Sequence, residues 1–256
     1  MTRTDDKTAF ITGASAGFGA ALARRFVARG IKVIVAARRL DRLEALSGEL
    51  GVDKVLPVRL DVQERDAVAR AIAALPAAFA DVEWLINNAG LALGLEAAPR
   101  ADPSDWQRMI DTNCKGLVCV TRALLPRMLL RGRGHVVNLG SVAGTYPYPG
   151  GNVYGATKAF VRQFSLNLRS DLHGTGIRVT CIEPGICGGT EFSEVRYRGD
   201  QKRAAAVYAG MKALAAEDVA EAILWAIALP AHVNINSIEM MPVSQSWAPF
   251  LVHRTP

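Results

Sequence analysis

The sequence predicts a single-domain α/β fold: a doubly wound, parallel, seven-stranded sheet with helices on both faces. Three observations carry this. Short apolar runs rich in β-branched residues alternate along the chain with stretches of helical periodicity. Several of these runs are nearly uninterrupted, as in strands covered on both faces. The chain has 256 residues, 50% hydrophobic and 21% charged, enough to bury one sizeable core and too apolar for disorder. Strand and helix in alternation build right-handed βαβ units, and a run of them makes an architecture of the Rossmann type.

The strand candidates are Thr8–Thr12, Lys32–Ala36, Lys54–Leu60, Val82–Asn87, Gly134–Leu139, Gly176–Ile182 and Ile235–Met241. Helical stretches lie between them, at Arg39–Leu50, Glu64–Ala74, Ser104–Leu130, Asn152–His173 and Ala216–Leu229. In the last, Val219, Ile223 and Ile227 recur every four residues as one apolar stripe. No linker or repeat divides the chain, so residues 1–256 are expected to form one catalytic domain. The rhythm breaks once, over residues 186–214, which are rich in Gly, Arg and aromatics. An insertion of that length at the carboxyl ends of the strands is expected to be a substrate lid.

Composition removes several classes. No apolar run reaches the roughly 18 residues that cross a bilayer. Met1 to Lys7 is polar and mixed in charge, unlike a signal peptide. Cys114, Cys119, Cys181 and Cys187 form no CxxC pair or Cys/His cluster, so neither a metal site nor a disulfide framework is expected. Reduced thiols fit a cytoplasmic protein. The net charge of +6 raises nucleic acid as a partner, but there is no nucleic-acid motif and no single basic stripe with interleaved aromatics. The charge is locally uneven, with seven basic residues against one acid between Arg24 and Arg42.

The first strand runs into Thr12-Gly13-Ala14-Ser15-Ala16-Gly17-Phe18-Gly19 and then a helical stretch. Glycines allow a tight turn and close approach of backbone to a phosphate. The helix start adds free N–H groups and partial positive charge for a pyrophosphate. The spacing is GxxxGxG, which is not a P-loop. NAD-preferring proteins place an acid at the end of the second strand. Here that strand ends Val35-Ala36-Ala37-Arg38-Arg39, and guanidinium groups suit a 2′-phosphate. The expected cofactor is therefore NADP.

Tyr154 and Lys158 stand four residues apart in Tyr154-Gly155-Ala156-Thr157-Lys158 and share a helix face. An ammonium beside a phenol favours the phenolate and makes an acid/base at neutral pH. Ser141 follows the strand Gly134–Leu139, at a carboxyl strand end, where its hydroxyl can donate to a developing alkoxide.

Together these residues resemble the short-chain dehydrogenase/reductase family over essentially the whole chain. The glycine loop, Asp61, Asn87-Asn88-Ala89-Gly90, Asn113, Ser141, Tyr154, Lys158 and Pro184-Gly185 carry the likeness by occurring jointly and in order. The resemblance implies that Tyr154 is the general acid/base and that Ser141 holds the substrate oxygen. Lys158 would bond the nicotinamide ribose and depress the pKa of Tyr154, and Asn113 would anchor a proton-relay water. Ser15, Ala16, Gly17, Phe18 and Gly19 would line the cofactor with Gly13, and Asp61 and Val62 would flank the adenine. Asn88, Ala89 and Gly90 would pass along the ribose. The Pro184-Gly185 loop would meet the nicotinamide carboxamide, and Ile186, Cys187, Thr190, Glu191 and Phe192 would also contact the cofactor. Thr190 lies six residues beyond Pro184, where the family often has a Thr five beyond, so its contact is open. The family habit is a homotetramer, with Ser104–Leu130 and Asn152–His173 at an interface.

Glu183–Ser193, Leu229–Asn236 and Met240–Val243 resemble a narrower branch, the NADP-dependent 3-hydroxy acid dehydrogenases, also described as serine or allo-threonine dehydrogenases. That implies small acids with a hydroxyl at the β carbon: L-serine, L-allo-threonine, or the 3-hydroxypropionate and malonic semialdehyde pair. Arg196, Arg198 and Lys202 in the lid are candidates to capture the carboxylate, Arg196 first. Two alternatives stay open: a reductase of other ketones or keto-acyl groups without acid preference, and a catalytically idle NADP-sensing interaction protein.

Overall fold

The computed structural model describes residues 7–247. The polar N-terminus Met1–Asp6, read above as no signal peptide, lies outside them. Seven parallel strands form one sheet in the order β3-β2-β1-β4-β5-β6-β7: β1 (Thr8–Thr12), β2 (Lys32–Ala37), β3 (Val55–Arg59), β4 (Val82–Asn87), β5 (Gly134–Leu139), β6 (Ile177–Pro184) and β7 (Ser237–Met240). Side chains alternate across it with the period of two that a pleated strand imposes. Ala9, Ile11, Val33 and Val35 face α1 (Gly17–Ala28), α2 (Leu40–Leu50) and α9 (Ala216–Ala228) through Leu22, Phe26, Leu43, Val219 and Ile223. Phe10, Ile34, Leu85 and Val136 face α3 (Arg65–Ala73), α5 (Leu117–Arg131) and α6 (Asn152–Asp171) through Val68, Leu124, Met128 and Leu168. Burying each such side chain contributes roughly 1.5–3 kcal/mol.

Two elements differ from the sequence expectation. The predicted helix Ser104–Leu130 is interrupted: α4 (Pro103–Ile110) passes through a π-helical turn, Asp111–Gly116, into α5. The wider turn changes the helical phase and buries Asn113. Gly116 allows this, because a Cβ there would stand 2.6 Å from Val62 Cγ2. The last strand begins later than expected. The Asn234 carboxamide substitutes for backbone, accepting from Val179 N at 2.7 Å and donating to Val179 O at 2.9 Å, so regular pairing starts only at Ser237.

Between β1 and β4 the strand order reverses, the point where an open α/β sheet has a crevice at its carboxyl edge. Beside that crevice lies the short helix α7 (Phe192–Arg196), followed in the chain by α8 (Gln201–Ala206). Among the described residues no helix is long and apolar enough to cross a membrane.

Candidate active site

A cleft of about 760 Å³ opens at this switch point. Its floor begins with the turn after β1. Gly13 has φ +66°, which an L side chain adopts only at a cost, and a Cβ there would stand 2.9 Å from Ala89 Cα. Thr12 and Asn88 staple β1 to β4. Thr12 Oγ1 accepts from the N–H groups of Asn88 (3.0 Å) and Ala89 (2.9 Å), while Asn88 Nδ2 donates to Thr12 O (2.8 Å) and Gly13 O (3.2 Å). The Asn88 side chain is thus spent on shaping the loop. Gly19 does not face the cleft. It lies beneath the turn, where a Cβ would meet Gly13 O at 2.7 Å.

The N-terminus of α1 opens into the cleft. Its cap residue, Ala16, provides no side-chain cap, and its first turn has no acid, so the leading N–H groups and the helix dipole are left for an anion. Thr190 reaches over this end, with its Cβ and Cγ2 3.3 Å from where a Cβ on Gly17 would be. At the end of β2, Arg38 is exposed and makes no side-chain hydrogen bond or ion pair among the described residues. Arg39 donates to Ser15 Oγ (Nη2, 3.0 Å) and pairs with Glu191 at 2.8 Å, and Arg42 pairs with the other oxygen of Glu191 at 2.5 Å. These partners hold the Glu191 carboxyl below the usual carboxylate range. Most of the basic run is therefore neutralised locally. Arg24 meets Glu49, and Arg25 and Arg29 meet Glu221. The glycine cradle, the uncapped helix start and the free Arg38 fit a dinucleotide with an added phosphate.

Two glycines bring the reactive groups together. The turn Val142–Gly144 after Ser141 lies directly on α6: a Cβ on Gly144 would stand 2.7 Å from Lys158 C, and one on Gly155 would stand 2.9 Å from Ala143 O. This contact sets Ser141 beside Tyr154, both nearly buried. Ser141 Oγ donates to Pro184 O at 3.3 Å and accepts from Ala143 N at 3.2 Å. Lys158 Nζ donates to Leu139 O at 2.8 Å and lies 5.9 Å from the Tyr154 ring centre. Burial lowers its pKa to about 8. Burial also pushes the Tyr154 phenol up, against the opposing pull of Ser141 and Arg196. The sequence expectation was a phenol depressed by Lys158; in the folded chain desolvation dominates, and the leading opposing effect comes from Ser141 rather than Lys158.

Asn113, expected at a relay water, lies behind the cleft. Its Oδ1 accepts from Leu91 N (2.9 Å), and its Nδ2 donates to Leu91 O (2.9 Å) and Thr157 Oγ1 (3.0 Å). Its side chain ties the loop after β4 to α6. The remaining predicted cofactor residues line the cleft: Gly13, Ser15, Ala16, Gly17, Phe18, Arg38, Arg39, Asp61, Val62, Asn88, Ala89, Gly90 and the Pro184–Phe192 loop. Asp61 Oδ1 also accepts from Gln63 N at 3.0 Å.

The lid arginines separate. The Arg196 guanidinium lies 5.5 Å from the ring centres of both Tyr154 and Tyr148. Arg198 turns away to pair with Asp105 at 2.6 Å, and neither it nor Lys202 lines the cleft. Sequence reasoning missed Thr12, Tyr148 and Gln245. Gln245 Oε1 accepts from Ile186 N at 2.7 Å and packs where a Cβ on Gly185 would stand. The Pro147-Tyr148-Pro149 run was a usable signal, an aromatic held by two residues of fixed φ. For Gln245 there was none.

A seven-stranded Rossmann sheet with Ser141, Tyr154 and Lys158 at its carboxyl edge defines a class, and the short chain dehydrogenase family profile matches residues 7–200: the chain belongs to that family. Within it, the chain is 60% identical over 245 residues to the NADP-dependent 3-hydroxy acid dehydrogenase YdfG of Salmonella typhi, covering 96% of this chain and 98% of the relative. It is 55% identical over 247 residues to the serine 3-dehydrogenase of Agrobacterium fabrum, covering 96% and 98%. The closed form of serine dehydrogenase complexed with NADP+ superposes with a TM-score of 0.96 at 57% identity, covering 97% of this chain and all of that one.

Proposed function

We propose that this chain is an NADP-dependent dehydrogenase of small 3-hydroxy acids. The observation that carries the reading is the Arg196 guanidinium 5.5 Å from the Tyr154 ring centre. This places a cation in the same cleft as the acid/base, where it can pair with the carboxylate of a small acid whose β-hydroxyl faces Tyr154. The names of the relatives support the same substrate class and cofactor.

Bound NADP supplies the nicotinamide carbon that takes or gives the hydride. Gly13, the start of α1 and Thr190 would hold the pyrophosphate; Arg38 and Arg39 would take the 2′-phosphate; Asp61 and Val62 would flank the adenine. Lys158 would hold the ribose beside Gly90, and the Pro184 loop would support the nicotinamide. Ser141 donates to the substrate oxygen and fixes it beside Tyr154. In oxidation Tyr154, as phenolate, removes the hydroxyl proton; in reduction it returns that proton to the nascent alkoxide. Asn113 acts through Leu91 and Thr157, keeping the floor in register for proton relay. Residues 186–214 are the lid, and the chain works as one domain. The reading has it cytoplasmic and homotetrameric, associating through α5 and α6. Exposed Leu129 and Leu166, and Phe160 stacked on Phe164 at 5.9 Å, support that association.

Arg196→Ala tests the substrate assignment. Loss of a charge-assisted contact is expected to raise KM for 3-hydroxypropionate by at least about tenfold. An unchanged KM would remove Arg196 from the site.

A further inference from the structure

Tyr148 contacts the Arg196 guanidinium through both its hydroxyl and its ring. Its ring packs against the start of α6, where a Cβ on Gly151 would stand 2.6 Å from Tyr148 Cε1. Pro147 and Pro149 flank it and stiffen the backbone. The neighbouring Gly150, at φ +77°, packs its backbone on Leu95. Tyr148 is therefore held from three sides before any ligand arrives. Arg196 Nη2 donates to the Tyr148 hydroxyl at 2.7 Å, and Arg196 Nε donates to Gly94 O at 3.2 Å. The guanidinium lies over the Tyr148 ring, 5.5 Å from its centre. Arg196 is thus aimed by two fixed partners, and its remaining N–H groups are free to take an anion.

The hydrogen-bond direction has a consequence. The Tyr148 oxygen accepts from Arg196, so its own proton points elsewhere, and among the described residues the hydroxyl donates to nothing. Tyr148 and Arg196 both line the cleft, as does Tyr154. We infer that Tyr148 and Arg196 form one carboxylate-binding pair, in which Tyr148 fixes the guanidinium and donates its own O–H to the substrate carboxylate. A carboxylate has two oxygens, and this pair offers a donor to each. With the carboxylate anchored there, the chain length between it and the carbon at Tyr154 becomes the property selected. The inference rests on the 3-hydroxy acid reading and makes Tyr148 a specificity-determining residue of the same site.

Tyr148→Phe keeps the ring, its packing on Gly151 and its contact with the guanidinium, and deletes only the hydroxyl. Initial rates by NADPH absorbance on 3-hydroxypropionate and on its methyl ester separate charge from shape. The expected result is a KM about tenfold higher for the acid, with kcat within about twofold and the ester KM raised less than about twofold. Equal changes on acid and ester, or a loss in kcat alone, would overturn the pair and leave Tyr148 a packing residue. Arg196→Ala, run alongside, separates the two levels. If it raises the acid KM while Tyr148→Phe does not, the pair fails and the acid reading stands. If it leaves the acid KM unchanged, Arg196 leaves the site and the pair fails with it; the acid reading itself fails only if 3-hydroxypropionate is not turned over.

Discussion

Tyr154 is buried, and burial favours its neutral form, so at neutral pH the side chain is a loaded proton donor. The sign of the pH dependence follows. Carbonyl reduction uses the phenol and falls as pH rises through its pKa, whereas alcohol oxidation uses the phenolate and climbs over the same range. Initial rates in both directions from pH 6 to pH 10, below that raised pKa, check this: oxidation climbs across the window while reduction stays level, and parallel profiles would contradict it. Tyr154→Phe is expected to lower kcat by about 10²–10⁴-fold with NADPH still bound, read by nucleotide fluorescence. Arg38 is the other telling residue, a cation with no partner among the described residues at the end of β2, where an acid would select the 2′-hydroxyl. Arg38→Asp is expected to reverse the preference, with NADH binding more tightly than NADPH in a direct titration. Equal affinities in the unmutated protein would contradict the assignment.

At the scale of elements, the central strands were legible because their residues meet apolar faces on both sides, and an unbroken apolar run records that. The Ser104–Leu130 helix was legible as a helix but not as an interrupted one, since a π turn inserts its residues without breaking hydrophobicity. The triad was legible because Tyr154 and Lys158 are local to α6 and Ser141 ends a strand. The Gly144 and Gly155 contacts that align them are long-range packing and left no periodic trace. Least legible was the lid. Glu191 reaches Arg42 across 149 residues of sequence, a pairing that only the fold creates. That contact joins residues 186–214 to Arg39 and Arg42, the arginines beside the proposed 2′-phosphate pocket, where Glu191 would compete with the phosphate for them. Glu191→Gln is expected to raise the NADPH-over-NADH affinity ratio by up to about fivefold, the scale of an exposed ion pair. The effect should shrink as salt is added. A lowered ratio would mean that the lid carboxylate helps hold the cofactor.

The molecule as a whole divides its work between a sheet that fixes positions and loops that supply chemistry. Ser141, Tyr154 and the glycine loop stand at the carboxyl edge of a strand, in the loop that follows one, or at the start of the next helix, Asn113 supports them from the π turn, and residues 186–214 bring in the proposed carboxylate-binding cation. Five of the seven basic residues between Arg24 and Arg42 are paired with acids, which leaves Arg38 for the proposed phosphate and Arg196 for the proposed carboxylate. The central claim is that this architecture selects a carboxylate one short chain from a hydroxyl. NADPH absorbance during oxidation of L-serine, 3-hydroxypropionate and 2-propanol, at matched concentrations with NADP+, tests it most directly. The account predicts turnover of the two acids and little of the simple alcohol; turnover of 2-propanol alone would contradict it.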